Sequence, residues 1–468
     1  MNALEKRSGY VSFISIVAAL GGFLFGYDTA VISGAIGSLR TYFDLDAAEM
    51  GWAAASGLLG CILGASGAGV ASDRFGRRKV LVLSAVFFAV SAVWTALPAN
   101  FTQFAMARMI GGIGVGIASM VSPMYIAEVA PAGIRGRLVS YNQFGIVVGI
   151  LIVYFVNYFI AGFGGPEWNV ESGWRWMFGS ETLPAMVFLG LLIVIPESPR
   201  WLLRVGREEE ARRILGRVRN GGEIETEMGE IRQSLSAGSG SMRELLQPTW
   251  IRAVLLGAGL AILQQVTGIN VFMYYAPEIF KQLGSELDAA LLQTIVIGSV
   301  NLLFTIIALY TIDRVGRKTL MIAGASGMCL SLVALGWAAA SKSVDTGVLI
   351  FIVLYIASFA ASMGPVVWVI LSELYPTHLR ARAMAVATFC IWAANFAVSQ
   401  TFPMINENAW LVEVFGGGFP FWLYAFFCIV TIYVTHRYVP ETKGKTLEQI
   451  EQMWKAESGK SQKPVTDN

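Results

Sequence analysis

Apolar positions along this chain come in long unbroken runs, not in alternation. Twelve can be marked, at about 10–39, 51–71, 80–97, 101–126, 138–161, 178–196, 252–280, 288–312, 319–340, 346–374, 380–405 and 417–439. Each has roughly the twenty residues a helix needs to cross a bilayer. A porin-like barrel would alternate over about ten residues per strand. The pattern therefore predicts an all-α membrane protein with twelve transmembrane helices, spans 1 to 12. The first run is too long for a cleaved signal, holds Asp28 near its middle and ends on no small-residue cleavage site.

The pattern also repeats. Asp73-Arg-Phe-Gly-Arg-Arg-Lys79 returns 240 residues later as Asp313-Arg-Val-Gly-Arg-Lys318. Glu128-Val-Ala-Pro-Ala-Gly-Ile-Arg-Gly-Arg137 returns after 245 as Glu373-Leu-Tyr-Pro-Thr-His-Leu-Arg-Ala-Arg382. Pro196-Glu-Ser-Pro-Arg200 returns more loosely after 244 as Pro440-Glu-Thr-Lys-Gly444. Parallel six-helix repeats with a substrate site between the halves are a transporter architecture. The expected organisation is a six-helix bundle over 1–196, a cytoplasmic helical linker over 197–250, a second bundle over 251–439 and a cytoplasmic tail over 440–468.

Within the linker, 198–219 sets apolar residues at helical spacing among dense charge, and 223–235 repeats this more weakly. Both predict short amphipathic helices, with 237–241 as a Gly/Ser-rich joint. The tail predicts one more helix over 446–456, with Thr446 as N-cap and Gln449 at the third position. The last ten residues are polar and read as disordered.

Composition sharpens the membrane reading. The chain is 55% hydrophobic and 14% charged, where a soluble protein carries about 25% charged residues. Arg and Lys crowd the loops after spans 2, 4, 6, 8 and 10, and the other loops hold mostly acids. By the positive-inside rule, the basic loops and both termini are cytoplasmic. The net charge of +2 says little about partners. All four cysteines lie in apolar runs with no C-x-x-C spacing, so small core residues are expected. With two histidines in the chain, no metal centre is expected. No span pairs a nucleophile with a base, which argues against an intramembrane enzyme.

The basic loops have a mechanical reading. Gly76 and Gly316 permit tight turns, and Asp73, Arg74, Arg77 and Arg78, with Asp313, Arg314 and Arg317, flank them. Glu128, Glu373 and Glu197 stand at neighbouring helix ends, near Arg135, Arg137, Arg380 and Arg382. Ion pairs among these groups, reaching across neighbouring bundles, would form a latch on the cytoplasmic face. The alternative is that they are interfacial anchors.

Inside the spans, charge is rare. No Lys or Arg stands within ten residues of Asp28. An ionised side chain at the centre of a span costs roughly 2.5–3.5 kcal/mol on insertion scales. Arg108 lies eight residues from Asn100, and Asp28 twelve from Arg40, both counted from the same membrane side. At 1.5 Å per residue the depths agree within roughly 6 Å, so Arg108 is the expected partner. Glu181 in span 6 is a third candidate. The alternative is a buried salt bridge that fixes helix register.

Uncharged polar groups gather elsewhere. Span 7 carries Gln264, Gln265, Thr267, Asn270, Tyr274 and Tyr275, with Gly268 placed to loosen the helix. Span 5 opens with Asn142 and Gln143, span 8 holds Asn301, and span 11 holds Trp392 and Asn395. In span 10, Gly364-Pro365 predicts a break ahead of Trp368. Amides donate to and accept from hydroxyls, and Trp faces pack on sugar rings, so these groups suit a neutral polyhydroxy ligand. The alternative is interhelical glue, about 0.6 kcal/mol per hydrogen bond.

These motifs carry a resemblance. From about Gly21 to Leu447 the chain resembles the sugar porter family of the major facilitator superfamily. The motifs are the two D-R-x-G-R-R/K loops, Pro196-Glu-Ser-Pro-Arg200, Gln264-Gln265-x-x-Gly268-Ile-Asn270 and Pro440-Glu-Thr-Lys-Gly-Lys-Thr446. The resemblance implies two six-helix bundles and import of a pentose or hexose by alternating access, with no cofactor. It implies sugar contacts at Phe25, Gln143, Gln264, Gln265, Asn270, Tyr274, Asn301, Trp368 and Trp392. It makes Asp28 the proton-coupling acid and Arg108 its partner. The family's uncoupled facilitators usually lack an acid there, so Asp28 favours proton symport over uniport or a sugar sensor. Ile150 and Ile391 stand where a proton-coupled member has glutamine, and Met273 replaces a leucine. These three are expected to tune sugar preference. The expected partners are a monosaccharide, a proton and the bilayer, with no nucleic acid, and the expected state is a monomer.

Overall fold

The computed structural model describes residues 3–218, 224–236, 242–282, 286–341, 347–375, 379–443, 449–450 and 454. The expected joint at 237–241, nearly all of the expected tail helix, the last ten residues and the side chain of Asp313 lie outside that set. Among the described residues, twelve helices are long and apolar enough to cross a membrane. They are Gly9–Phe43, Ala47–Phe75, Arg77–Ala96, Phe101–Val129, Arg135–Ala161, Pro166–Val194, Ile251–Gln282, Leu287–Ile312, Arg317–Ala340, Val348–Leu374, Arg382–Asn406 and Phe419–Tyr438.

Three spans differ from the apolar pattern, each for a physical reason. Span 6 begins at Pro166, twelve residues before its apolar run. Its first turns are polar and aromatic, and they include a π-helical stretch over Asn169–Gly173. There Trp174 donates to the Val170 carbonyl and Arg175 lies 4.3 Å over the Trp174 ring. Trp and Arg at a helix end suit the membrane–water interface. Span 7 is two helices, Ile251–Val266 and Ile269–Gln282. They meet at Gly268, whose φ of +92° a side-chain-bearing residue rarely adopts. Span 10 breaks between Gly347–Ala360 and Met363–Leu374, just ahead of Gly364-Pro365. A proline is tolerated in a helix's first turn, where its missing N–H has no partner to lose.

The chain packs into two units. The first comprises Met1–Ala237, Met273–Ser299 and Ser399–Met404. Within it span 1 lies along span 5, and spans 2 and 3 lie along span 4. The expected amphipathic segment 198–219 is two helices, Pro199–Arg204 and Glu208–Val218, turned at Gly206 (φ +79°). The longer buries Ala211, Ile214, Leu215 and Val218 on one face. A further helix covers Ile224–Ser236.

The second unit comprises Gly238–Phe272, Val300–Val398 and Ile405–Asn468. Within it span 9 packs on spans 10 and 12. The apolar core there includes Trp250, Met321, Ile370, Leu374 and Tyr375, and it takes in Ile450 and Trp454.

Candidate functional site

Asp28 sits inside the first unit, 1% exposed, and Arg108 is 2% exposed. Arg108 Nη1 donates to Asp28 Oδ1 at 2.7 Å. Two glycines give the pair room. A Cβ on Gly57 would stand 3.1 Å from Arg108 Nη2, and one on Gly111 would stand 3.1 Å from Asp28 Oδ1. The guanidinium also lies 5.5 Å from the Phe178 ring centroid, close enough for a cation–π contact. Glu181 is buried beside them, in electrostatic contact with both Asp28 and Arg108. Arg108 Nε and Glu181 Oε1 make no hydrogen bond. Two acids, one cation and two unsatisfied polar atoms at membrane depth are costly. Such a cluster can exchange one proton for one broken ion pair.

In the second unit the span 7 amides form a chain. Asn270 Nδ2 donates to Gln265 Oε1 at 2.6 Å, and Gln265 Nε2 to Gln264 Oε1 at 3.1 Å. Gln264 Nε2 ends the chain on the carbonyls of Met363 and Gly364, at 2.9 and 3.1 Å. The breaks of spans 7 and 10 are thus tied by side chains as well as by packing. Tyr355 Oη adds to this, donating to the Thr267 carbonyl at 2.9 Å. The Thr267 carbonyl stands just past the end of Ile251–Val266, where a break frees carbonyls that need partners in a membrane, and Tyr355 supplies one.

The other expected contacts are distributed as follows. Asn301 and Trp392 are buried and Trp368 is exposed, all in the second unit. Ile391, also buried, lies beside Trp392 in sequence. Phe25, Gln143 and Ile150 are half-buried in the first unit. Met273 and Tyr274 are buried there too, and the Met273 carbonyl accepts from Tyr154 Oη at 2.9 Å.

At the turn between spans 2 and 3, Gly76 has φ +96°. Arg77 grips both oxygens of Glu128 at 2.9 Å, and reaches the Ser72 carbonyl at 2.9 Å and Asp73 at 3.2 Å. Glu197 caps span 3, accepting from the backbone N–H groups of Arg77 at 2.9 Å and Arg78 at 3.1 Å. Burial pushes the Glu197 carboxyl above its ordinary value of 4.5, despite these bonds. Ser198 Oγ donates to Glu128, and Arg204 pairs with Asp73 at 2.7 Å.

The second unit repeats this arrangement. Gly316 has φ +101°. Arg317 pairs with Glu373 at 2.9 Å, Glu441 accepts from the N–H groups of Arg317 and Lys318 at 3.3 and 3.2 Å, and Thr442 Oγ1 donates to Glu373 at 2.5 Å. Each of these pairs lies within one unit, where the expectation had them reach across bundles. Arg74, Arg135, Arg137 and Arg314 are exposed. Arg380 Nη2 donates to the Tyr375 carbonyl at 3.4 Å, and Arg382 is half-buried. Sequence reading did not single out Glu441 and Thr442. Their signal was the Pro196-Glu-Ser/Pro440-Glu-Thr repeat.

Twelve membrane-crossing helices, a motif set built twice, and ionisable groups buried in the spans define a membrane carrier of the major facilitator fold. The family model described as sugar (and other) transporter matches residues 14–454, and the chain belongs to that family. It is 46% identical to the D-xylose-proton symporter of Escherichia coli (strain K12), over 99% of both chains. It is 40% identical to the arabinose-proton symporter of Bacillus subtilis (strain 168), over 95% of both. A solved structure of the E. coli xylose transporter in a partially occluded inward open conformation matches with a TM-score of 0.84 and 44% identity. The match covers 94% of this chain and all of that one.

Proposed function

We propose that the chain is a proton-coupled symporter that imports a monosaccharide, a pentose or hexose such as D-xylose or D-glucose, by alternating access across the cell (inner) membrane. The observation that carries this reading is the Asp28–Arg108 ion pair, buried with Glu181 beside it. The named sugars of the relatives support the substrate class. Both termini lie in the cytoplasm, and the protein works as a monomer driven by the proton gradient alone, with no cofactor.

With the outer side open, Asp28 takes a proton and Arg108 loses its counter-charge. Glu181, buried beside Asp28, accepts or returns that proton. Sugar then binds, chiefly to Gln264, Gln265, Asn270, Asn301, Trp368 and Trp392, with Phe25, Gln143 and Tyr274 completing the contacts. The amide chain presents N–H and C=O groups already oriented by one another. The bundles rock about the sugar and the cytoplasmic ends part, while each Arg–Glu cluster keeps its own turn braced. Sugar leaves, Asp28 gives up its proton, and the ion pair re-forms. One proton moving down 100 mV supplies about 2.3 kcal/mol, near a 50-fold sugar gradient.

The test is sugar-induced alkalinisation. Adding the transported sugar to lightly buffered, de-energised cells that express the protein should raise the external pH as sugar enters. Uptake with no pH change would identify an uncoupled facilitator.

A further inference from the structure

Two pairs of consecutive residues interlock beside the buried ion pair: Tyr27-Asp28 on span 1 and Ser180-Glu181 on span 6. Tyr27 Oη and Ser180 Oγ are 2.8 Å apart. Ser180 Oγ donates its one proton to the Met177 carbonyl at 2.5 Å, so Tyr27 is the donor of the pair. Asp28 and Glu181 are both buried and lie in electrostatic contact with each other and with Arg108. The hydroxyl chain ends on a backbone carbonyl and so passes no proton to Glu181.

What the hydroxyl chain fixes is position. Ser180 and Glu181 form the turn between helices Trp174–Gly179 and Thr182–Val194. A break in a helix leaves the direction of its side chains free to swing. Tyr27 ties that turn to span 1 one residue from Asp28, and Tyr27 is itself 3% exposed. The titratable groups in electrostatic contact with Asp28 are Arg108 from span 4, Glu181 from span 6 and Cys61 from span 2. Tyr27 faces Glu181.

We propose that Tyr27 and Ser180 are positioning residues that hold Glu181 against Asp28, and that they thereby set the pH range over which proton-driven uptake works. The proposal rests on the symport reading above. Glu181 held in place sets a second acid beside Asp28, and two neighbouring carboxyls resist ionising together. Let go, Glu181 no longer opposes the ionisation of Asp28, and uptake needs a more acid medium.

The test compares the parent with Tyr27→Phe, Ser180→Ala and Ser180→Thr, the last retaining the hydroxyl. Sugar-induced alkalinisation is measured first in the parent. Uphill uptake and sugar counterflow are then followed against external pH in each variant. The midpoint of uphill uptake should move about half a pH unit or more toward acid in Tyr27→Phe and Ser180→Ala. Counterflow, which needs no net proton movement, should stay within about twofold of the parent, and Ser180→Thr should keep the parental profile. An unshifted midpoint in both hydroxyl-deletion variants overturns the proposal. So does an equal loss of uptake and counterflow at every pH, which marks a purely structural role. If the parent itself shows no alkalinisation, the symport reading fails, and this inference fails with it. Where Tyr27→Phe does not reach the membrane, Ser180→Ala decides.

Discussion

Arg108 meets Asp28 through one N–H at 2.7 Å, whereas Arg77 holds both oxygens of Glu128. The second geometry is the stronger and more specific one for a guanidinium and a carboxylate. The first leaves Arg108 Nε bare. An ion pair held by a single hydrogen bond in a buried site can be broken by one proton. A two-pronged pair with added backbone contacts is suited to holding a turn.

The room around Arg108 depends on Gly57. A Cβ there would already stand 3.1 Å from Arg108 Nη2, and a branched side chain would displace the guanidinium. Overpacking of this kind costs about 1–3 kcal/mol. Gly57→Val should lower initial rates of uphill uptake about tenfold or more while the protein still reaches the membrane. Parental uptake in this variant would show that the pair tolerates displacement.

The amide chain makes Gln264 the costliest member to lose. Its side chain serves two carbonyls at the span 10 break as well as Gln265. Each lost hydrogen bond is worth about 1 kcal/mol, or about fivefold in affinity. Asn270→Ala should weaken sugar binding by about fivefold, and Gln264→Ala by considerably more, read by intrinsic tryptophan fluorescence titration. Equal, small losses in both would mean that the chain does not order the site.

Glu197 makes a pH-dependent contribution to stability. Its carboxyl is held above its ordinary value of 4.5 by burial, so the folded protein binds this proton more tightly than the unfolded chain. The resulting stability is fully present below 4.5 and is lost as pH rises through the folded value. Thermal unfolding of the detergent-solubilised protein should therefore show a smaller loss of stability with rising pH, just above 4.5, in Glu197→Gln than in the parent. Parallel curves would mean that Glu197 titrates alike in both states.

Ile150 and Ile391 remove two amides that a proton-coupled member of the family carries. Converting both to glutamine should reorder a competition panel of xylose, glucose, galactose, arabinose and inositol, with individual shifts of about fivefold. An unchanged ranking would exclude these positions as determinants of preference.

Twelve spans were legible in the sequence because a bilayer demands length and apolarity, and both are visible in composition. The start of span 6 was not, because its Trp- and Arg-rich turns break the apolar run while remaining helical. The depth count from Asn100 and Arg40 was enough to pair Arg108 with Asp28. It did not reveal the Tyr27–Ser180 contact, since a tyrosine and a serine inside apolar runs look like ordinary packing. The acids Glu128 and Glu373 stood out by repetition. Glu441 lies in the looser Pro-Glu repeat, but its role as an acceptor of backbone N–H groups becomes visible only once the turn at Gly316 is built.

Asp28→Asn in proteoliposomes asks whether Asp28 couples sugar to protons. With an imposed proton gradient, the variant should fail to concentrate sugar, while sugar counterflow, which needs only binding and exchange, continues at a rate near that of the parent. Accumulation of sugar against its gradient by Asp28→Asn would show that coupling does not run through Asp28.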